Sequence, residues 1–347
     1  MIFLDWLQNN AVHILATLVL LGVLIIVHEW GHFLAFRRFG VPVEVFAVGF
    51  GPPVWRRPMS GGAEFRICPI PVGGYVRPDE EAARTARPVA KIIIALAGPT
   101  MNVVAAAVFL VGLALVQGEV HTLPEVGKVL EGSPAATAGL AVGDRVVAVE
   151  GEPITTFEAL VAAVQGRPGE KTELTVERGD ERLTLTVVPE AKESAAGTPV
   201  GRIGVMHSGA IWSRPLGPVA AIGYGLHETV DLTARTVGGF VQLITRKVDA
   251  SAVGGPIMIF QMATKAAGFG VATLVHFMAV ISIALFVFNL LPVPPLDGGH
   301  VLFGCIEAVR GKTLPKQAEE WVQQGAFILL IAFILFVSYN DILRIVR

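Results

Sequence analysis

The sequence predicts a polytopic α-helical membrane protein of about four transmembrane helices, with a membrane-associated β-hairpin and one extracytoplasmic α+β domain. Of its 347 residues, 53% are hydrophobic and only 16% are charged, and the mean hydropathy is +0.62. Four apolar stretches are long enough to cross a hydrocarbon layer of about 30 Å. Between the second and third of them, a polar segment alternates apolar and polar residues as strands do.

The four candidate spans are apolar throughout, and only the first carries charged residues in its interior. They cover 12–36, 92–116, 269–291 and 321–340. Before the first span the chain has an acidic Asp5, no basic region and no small-residue cleavage site, so we expect a span rather than a removable signal peptide. A shorter apolar piece at 251–264, containing Gly254-Gly255-Pro256, predicts a re-entrant or interfacial element.

The loop at 37–91 sets the predicted orientation. It holds nine Lys/Arg against five acidic residues and is short enough for the positive-inside rule, so we expect it in the cytosol. Four spans then place both termini and the segment 117–268 outside. The prediction is a multi-pass protein of the bacterial cytoplasmic (inner) membrane.

Charge and cysteine content exclude two classes of protein. The 27 basic and 29 acidic side chains form no dense Lys/Arg cluster, so we expect no nucleic-acid partner. Cys68 and Cys305 are the only cysteines, and both are predicted to face the cytosol, where thiols stay reduced. No disulfide framework is expected.

The extracytoplasmic segment contains one small folded domain, which we place at 117–205. Residues 125–189 alternate in strand fashion around a helical stretch at 156–164, and the run 132–151 resembles the PDZ domains of bacterial envelope proteases. Such domains take peptides by strand addition; the alternative is a β-rich spacer that binds nothing. The turn at 201–205 is a weak candidate for holding a peptide carboxylate.

At 215–247, helical spacing with mixed polarity predicts an amphipathic helix on the outer surface, and we assign 206–268 to amphipathic and interfacial helices.

The motif His28-Glu29-Trp30-Gly31-His32 predicts a metal site inside the first span. Two histidines four residues apart lie about 40° apart around a helix, so both imidazoles can reach one metal ion. Glu29 lies about 100° away, where it can act as general base in metal-assisted peptide hydrolysis. Ionisable residues at membrane depth cost a few kcal/mol unless they are paired or coordinating. The alternative is a set of side chains that only hydrogen-bond within a helix bundle.

Asp297 is the predicted third ligand, since a catalytic zinc takes three protein ligands and one water. It directly follows the third span, in the segment Asn289-Leu-Leu-Pro-Val-Pro-Pro-Leu-Asp297-Gly-Gly-His300. The three prolines forbid a regular helix there, and irregular backbone at membrane depth occurs where protein or a polar cavity covers it. His300 is the rival ligand. The first and third spans both run from outside to inside, so the two halves of the site meet at a similar depth.

The HEWGH motif, the run Gly98-Pro-Thr-Met-Asn102, the PDZ-like insert and the NLLPVPPLDGGH segment together resemble the site-2 protease family, peptidase family M50, in its bacterial RseP-like branch. The resemblance covers almost the whole chain. It implies one catalytic Zn²⁺ held by His28, His32 and Asp297, with Glu29 as the base. It also implies intramembrane cleavage of a single-pass protein, such as an anti-sigma factor already trimmed by an upstream site-1-type protease, or a remnant signal peptide. The chain has room for one PDZ domain, where the best-known member of this branch has two.

The same resemblance suggests residues that contact substrate. Asn102 and Asn289 match positions suited to the substrate backbone, although an Asn in a span also commonly bonds a neighbouring helix. The stretch 61–76, which includes Gly73, Gly74 and Tyr75, alternates as a hairpin in the cytosolic loop. The resemblance implies that this hairpin returns toward the zinc and offers an edge strand to the substrate. The alternative is a plain cytosolic loop.

Three functions compete on the sequence. The leading one is an intramembrane zinc endopeptidase, with residues 1–116 carrying the HExxH motif and the hairpin loop and residues 269–347 carrying the LDG motif. The second is a catalytically silent, PDZ-bearing membrane scaffold, against which the intact HExxH argues. The third, a zinc carrier, would need a polar path across the bilayer, whereas charged positions cluster near one face.

Overall fold

The computed structural model describes residues 2–193, 198–245 and 254–346. Their helices are α1 Ile2–Arg38, α2 Glu80–Thr85, α3 Pro88–Gln117, α4 Pro134–Thr137, α5 Phe157–Gln165, α6 Pro218–Ile244, α7 Pro256–Gly268, α8 Val271–Asn289, α9 Asp297–Arg310 and α10 Lys316–Val346. Their strands are β1 Val43–Phe50, β2 Trp55–Pro58, β3 Glu64–Ile67, β4 Ile70–Pro78, β5 Glu119–Thr122, β6 Val126–Val129, β7 Arg145–Val149, β8 Glu152–Pro153, β9 Thr172–Arg178, β10 Glu181–Val187, β11 Glu190–Glu193, β12 Pro199–Arg202, β13 Val205–His207 and β14 Ile211–Arg214.

The described residues divide between two compact units. The helical unit takes its residues from Met1–Leu113, Gly223–Val241 and Asp249–Arg347, and the β-rich unit takes its residues from Ala114–Ile222 and Gln242–Val248. Each has its own buried core.

Four helices of the described chain are long and apolar enough to cross a membrane, as predicted. The qualifying segments are Ile14–Arg38, Pro88–Gln117, Val271–Asn289 and Lys316–Arg344, with mean hydropathies of 2.1, 2.1, 2.5 and 2.2 over their most apolar windows. Most of their side chains remain exposed within the protein, as expected for helices whose surroundings are lipid tails. The polytopic helical fold is therefore confirmed.

Helix α3 lies at the centre of the helical unit because small residues let other helices approach it closely. A Cβ on Gly31 of α1 would lie 2.4 Å from the carbonyl oxygen of Ala97, so only glycine allows that contact. On α8, Ser282 donates a 2.8 Å hydrogen bond to the backbone carbonyl of Asn102. A fully apolar cluster continues the α3–α8 contact and consists of Ala106, Leu110, Ala279 and Ile283.

Helix α6 corrects the prediction of an amphipathic helix on the outer surface. The helix exists, but it packs lengthwise against the spans. Gly225 meets Val111 of α3 so closely that a Cβ would lie 2.6 Å from its Cα. Farther along, Leu232 joins the α3–α8 cluster and Phe240 contacts Phe288 of α8, with ring centroids 6.4 Å apart. The sequence misled because Asp231 and Arg235, on the exposed face, give α6 the mixed polarity of a surface helix.

The predicted interfacial element at 251–264 includes three residues, 251–253, that lie outside the described chain. Its remainder belongs to α7, whose 13 residues are too few to cross a membrane. The amino end of α7 is capped by α10, since the buried Asp341 carboxylate accepts hydrogen bonds of 3.0 Å from the amides of Gly255 and Met258.

The loop at 37–91 forms a four-stranded sheet in the order β2-β3-β1-β4, so the prediction of a hairpin at 61–76 was wrong. Strand β1 separates β3 from β4, pairing in parallel with the first and antiparallel with the second. The chain passes from β3 to β4 across the end of β1, over Gly49. A Cβ there would lie 2.8 Å from the carbonyl oxygens of both Cys68 and Ile70. A single glycine on β1 therefore permits a crossing that strand periodicity does not reveal.

The β-rich unit contains the PDZ-like domain. Its main sheet has the order β10-β9-β7-β8, and two-stranded ladders join β13 to β6, β11 to β12 and β14 to β5. Helix α5 begins at Thr156, whose hydroxyl accepts a 3.1 Å hydrogen bond from the Ala159 amide. Leu160 and Val164 on this helix pack into the same core as Val146, Leu174 and Val176 of the sheet. The unit therefore has its own apolar core.

An ion pair between the buried Asp144 and the half-exposed Arg178 lies beside this core. The Asp144 side chain is fully buried and accepts hydrogen bonds of 2.7 and 2.8 Å from Arg178 and one of 2.9 Å from the Ala141 amide. Hydrogen bonding by the Arg178 guanidinium holds the pKa of Asp144 below its usual range. Because the folded pKa is the lower one, the ionised carboxylate stabilises the domain above pH about 4. That contribution is lost as the pH falls through the depressed folded value.

Gly49→Ala should loosen the sheet β2-β3-β1-β4 more than Gly62→Ala does. Both glycines have a positive φ, +88° and +87°, so both variants incur a similar backbone strain of about 1–2 kcal/mol. Only at Gly49 would the new methyl also displace two carbonyl oxygens, since no atom lies within 4 Å of a Cβ at Gly62. We expect trypsin to cleave Gly49→Ala after Arg56 or Arg66 about tenfold faster than Gly62→Ala. Equal cleavage rates would contradict the crossing.

Asp144→Asn should flatten the acid dependence of the β-rich unit. For residues 114–222 expressed alone, we expect the wild-type urea midpoint, followed by circular dichroism, to fall as the pH drops below about 4. The variant should show a smaller fall, and at pH 7 it should be less stable by about 1–2 kcal/mol because a charged hydrogen-bond acceptor is lost. Parallel pH profiles in the two proteins would contradict the assigned role of Asp144.

Candidate metal centre

Three side chains of the helical unit converge on one point. His28 and His32 lie one turn apart on α1, and Asp297 is the first residue of α9. The Nε2 atom of His28 lies 3.2 Å from Nε2 of His32 and 3.2 Å from Oδ2 of Asp297. The Nε2 atom of His32 lies 3.3 Å from Oδ1 of Asp297. We call these three side chains the metal group; they are 13%, 12% and 18% exposed.

The spacing of the metal group fits a tetrahedral zinc ion. Zinc binds imidazole nitrogen and carboxylate oxygen at about 2.0–2.2 Å, which separates the ligand atoms of a tetrahedron by about 3.3–3.5 Å. The three observed separations, 3.2, 3.2 and 3.3 Å, agree with that edge. Among the residues that the structure describes, these three are the one set of three or more His, Cys, Asp or Glu side chains close enough together to share an ion. The donor set, two imidazoles and one carboxylate, leaves a fourth position for water.

His32 is held in the tautomer that a metal ligand needs. Its Nδ1 lies 2.8 Å from the carbonyl oxygen of Ile94 on α3, and because a carbonyl only accepts, Nδ1 carries the proton. The lone pair of a neutral ring then lies on Nε2, which faces the metal group. Gly98 leaves room for this ring, since a Cβ there would lie 2.2 Å from Nε2 of His32. Neither the Ile94 carbonyl nor the need for glycine at 98 could be inferred from ligand-type residues.

His28 is oriented by Asn102, one of the two asparagines predicted to contact substrate. Asn102 is 0% exposed, and its amide nitrogen is placed 3.1 Å from Nδ1 of His28. Its Oδ1 has no hydrogen-bond partner among the described residues. Exchanging the amide O and N, which have nearly the same shape, lets Oδ1 accept from the Nδ1–H of His28 and leaves the Nε2 lone pair for a metal. Because the Asn102 side chain is buried behind His28, its position suits the orientation of that ring rather than contact with a substrate.

Asp297 is positioned by the glycines that follow it. A Cβ on Gly298 would lie 2.3 Å from the carbonyl oxygen of Leu291, and one on Gly299 would lie 2.6 Å from the nitrogen of Pro294. The proline segment can therefore fold back against the first turn of α9.

His300, the rival ligand in the sequence, lies outside the metal group. It is one turn farther along α9, lines the same cavity and packs edge-on against Phe303, with ring centroids 6.4 Å apart. The geometry thus favours Asp297 over His300 as the third donor.

Glu29 lies between the metal group and the β4 edge of the sheet β2-β3-β1-β4. Its carboxylate faces the backbone of Val76 on β4 and lies close enough to all three members of the metal group to interact with them electrostatically. Strand β4 passes close to α1 at Gly74, where a Cβ would lie 3.4 Å from Cγ of Glu29. Glu29 is thereby held beside the metal group by a strand distant in sequence.

The remaining predicted contacts lie on or near this edge. Gly73 lies under the ring of Phe50, which a Cβ there would approach to 2.2 Å, and Tyr75 stacks on the same ring at 6.2 Å. A cavity of about 1090 Å³ joins the metal group to Glu29, Tyr75, Val76 and Asn289. The structure therefore brings together the metal group, the predicted base, Tyr75 and Asn289. It places Gly73 and Gly74 on the adjoining strand and Asn102 behind the site.

Comparison with known proteins gives a consistent result. The family model described as peptidase family M50 matches residues 16–333. A Brucella suis protein named as a candidate zinc metalloprotease is 34% identical over 359 residues, covering 95% of this chain and 94% of the relative. Proteins with the same description are 36% identical in a Nostoc species, covering 94% and 95%, and 32% identical in Clostridium perfringens, covering 95% and 98%.

Solved structures similar to part of the chain include the PDZ domains of SdrC-like proteins from Listeria monocytogenes and Listeria innocua. The first is 21% identical and covers 24% of this chain and 84% of that domain, with a TM-score of 0.21. The second is 20% identical and covers 24% and 92%, also with a TM-score of 0.21.

Asn102→Leu should weaken zinc binding, whereas Asn289→Leu should not. Removing the partner of a ligating histidine typically costs 10–100-fold in metal affinity, because the ring loses its fixed tautomer and orientation. We expect a zinc dissociation constant at least about tenfold higher for Asn102→Leu, measured by competition with a chromophoric chelator. Asn289 also lines the cavity, but in the described part of the chain no hydrogen bond or ion pair joins it to the metal group. Equal weakening in both variants would contradict the orienting role of Asn102.

Proposed function

This chain belongs to peptidase family M50, and from that premise we propose that it is an intramembrane zinc endopeptidase that cleaves single-pass membrane proteins. The observation that carries the proposal is the convergence of His28, His32 and Asp297 within 3.2–3.3 Å of one another, with Glu29 beside them. This arrangement matches what metal-assisted hydrolysis of a peptide bond requires: a metal site with an open position and an adjacent carboxylate.

His28, His32 and Asp297 would hold the zinc ion. When bound, zinc supplies Lewis-acid chemistry, lowering the pKa of a water molecule and polarising the scissile carbonyl. Ile94 and Asn102 keep the two imidazoles in the orientation that presents Nε2 to the metal. The protein therefore commits five polar groups to one coordination site.

Glu29 is the proposed general base and then the general acid. Its carboxylate takes a proton from the attacking water and delivers it to the nitrogen of the leaving amine. Strand β4 packs against the Glu29 side chain at Gly74, where a Cβ would lie 3.4 Å from Cγ of Glu29, and this contact limits the movement of the carboxylate beside the metal group. A carboxylate left to rotate freely would spend less time in reach of the water.

Intramembrane cleavage is supported by the position of the site on the spans. His28 and His32 lie within Ile14–Arg38, and Asp297 follows Val271–Asn289 by eight residues. The nine Lys/Arg of 37–91 support a cytosolic location for the sheet and for the inner ends of these helices. On this orientation the PDZ-like domain is extracytoplasmic and the protein resides in the bacterial inner membrane.

Substrate is proposed to bind as an added strand on β4. A helical peptide bond is shielded by its own turn, so a membrane substrate must unwind, and its freed backbone groups need partners. Strand β4 is last in the order β2-β3-β1-β4, so one of its edges is not used within the sheet. That edge belongs to the strand that holds Glu29, and Gly73, Gly74, Tyr75 and Asn289 are the proposed substrate contacts.

The proposed partners follow from the reaction. A single-pass substrate such as a trimmed anti-sigma factor or a remnant signal peptide would reach the site through the lipid bilayer, after an upstream site-1-type protease had removed its outer part. The PDZ-like domain would bind a peptide or restrict the size of what enters. No observation favours the alternative of a silent scaffold, because Glu29 and the complete metal group are present.

Glu29→Gln should abolish cleavage and retain zinc. The substitution removes the proton acceptor and leaves the three ligands unchanged, so we expect activity to fall at least about 10³-fold while zinc content stays near one ion per chain. Activity is measured on a tagged single-pass reporter in detergent or in cells, and zinc by elemental analysis. His32→Ala is the matched variant in which both zinc and cleavage should be lost.

Each outcome of that experiment is informative. Zinc in the wild type without cleavage of several membrane reporters would favour the scaffold. Absence of zinc from the wild type would end the proposal. Undiminished cleavage by Glu29→Gln would show that another group is the base.

A further inference from the structure

Glu307 is a buried carboxylate that the proposed reaction does not use. It lies near the carboxyl end of α9 and is 2% exposed. Burying an ionised carboxylate is costly unless it is paired and hydrogen-bonded. Both of its oxygens have partners: Oε2 is 2.6 Å from Nζ of Lys91, and Oε1 accepts a 2.9 Å hydrogen bond from the Leu314 amide.

These contacts join three separate segments at one point. Lys91 is in the first turn of α3, Glu307 in the last turns of α9, and Leu314 in the connection from α9 to α10. One turn before Glu307, a Cβ on Gly304 would lie 2.7 Å from Cγ1 of Ile92, so α9 and α3 are in close contact there. We call Lys91, Glu307 and the Leu314 amide the α9 anchor.

The α9 anchor is connected to the metal group at both of its ends. Through α9, Glu307 is joined to Asp297 by ten residues of helix, about 15 Å of rigid rod. Through α3, Lys91 lies one turn from Ile94, whose carbonyl fixes His32. His32 in turn contacts Asp297 at 3.3 Å, so three contacts, Lys91–Glu307, Ile94–His32 and His32–Asp297, form a closed circuit through α3 and α9. Lys91, Gly304 and Glu307 also line the cavity that contains the metal group.

We propose that Glu307 is a positioning residue that holds Asp297 in register with His28 and His32. The proposal rests on the proposed function of the metal group and extends it to a pair outside the HExxH and LDG motifs. The glycines at 298 and 299 fix where α9 begins, and Glu307 fixes its direction. If α9 were free to swing, the Asp297 carboxylate would change its angle to the two imidazoles, and zinc affinity and catalysis would fall together.

Glu307→Gln and Lys91→Met test the anchor with different chemistry. In Glu307→Gln the side-chain carbonyl could still accept from the Leu314 amide, so we expect a moderate effect, a zinc dissociation constant about fivefold higher. Lys91→Met leaves a buried carboxylate without its cation, so we expect about tenfold or more, within the range for groups that orient metal ligands. Lys91→Arg should restore affinity to within about twofold. Affinity is measured by chelator competition and kcat/KM on a single-pass reporter.

Lys312→Met is the matched control. It makes the same change of side chain two residues from Leu314, but Lys312 is exposed. We expect its zinc affinity and its kcat/KM to equal those of the wild type. A loss of affinity comparable to that of Lys91→Met would show that the connection tolerates no change, and it would contradict a specific role of the ion pair.

The double variant Lys91→Met/Glu307→Met separates positioning from stability. Removing both charges removes the penalty of an unpaired buried carboxylate, so the thermal unfolding midpoint should recover toward the wild type. The Leu314 amide would still lack its acceptor, so zinc affinity should remain at least about fivefold weaker. Recovery of both quantities would show that the pair affects stability alone and would overturn the proposal.

Hydrogen exchange gives a readout that does not depend on zinc. If the anchor positions α9, amides at 298–301 should exchange about tenfold faster in metal-free Lys91→Met than in the metal-free wild type. Unchanged exchange there would overturn the anchor even if cleavage fell. A wild type that bound no zinc would end the proposed function, and the exchange rates would still decide the anchor.

Discussion

The metal group depends on α3, a helix that contributes none of its ligands. The Ile94 carbonyl fixes the proton of His32, and Asn102 faces Nδ1 of His28. Ser282 of α8 bonds the backbone of the same Asn102, which ties the helix preceding Asp297 to that frame. Two imidazoles with bare Nε2 atoms and a carboxylate would not stay within 3.3 Å of one another unless other contacts fixed the orientation of each side chain. Helix α3 supplies that support for both histidines.

Close approach of backbones is the second requirement, and glycine meets it each time. Gly31 lets α1 reach α3, Gly98 leaves space for the His32 ring, and Gly298 lets the proline segment fold onto α9. In lipid, helices gain little by hiding apolar surface from each other, so contacts depend on packing and on hydrogen bonds. Glycine brings backbones close enough for both. The site is therefore built from polar contacts between helices that small residues bring together.

The sequence predicted the elements whose signal is local. Hydropathy located four spans, and histidine spacing with the proline-rich segment indicated His28, His32, Glu29 and Asp297, which lie together in the structure. The sequence did not predict the features that depend on contacts between residues far apart in the chain. The residues of β3 and β4 alternate as those of a hairpin would, yet β1 inserts between these two strands, because Gly49 lets the chain cross. Ile94 acts through a carbonyl that every residue has, so no side chain could have indicated it.

Helix α6 shows the same limit for predictions that rest on charge content. Its ionisable residues exclude it from the spans by composition, yet Leu232 and Phe240 pack against α3 and α8. Arg235 pairs with Glu228 at 2.7 Å and with Asp231 at 2.9 Å on the exposed face, and internal pairing lowers the cost of placing such residues beside apolar helices. Hydropathy counts each charge separately, so it cannot register this compensation. The position of a helix among spans is decided by its packing face, and on α6 that face contains Gly225 at the closest approach and the buried Thr229, whose hydroxyl donates to the Gly225 carbonyl. Composition alone therefore underestimates how much of this chain lies alongside the spans.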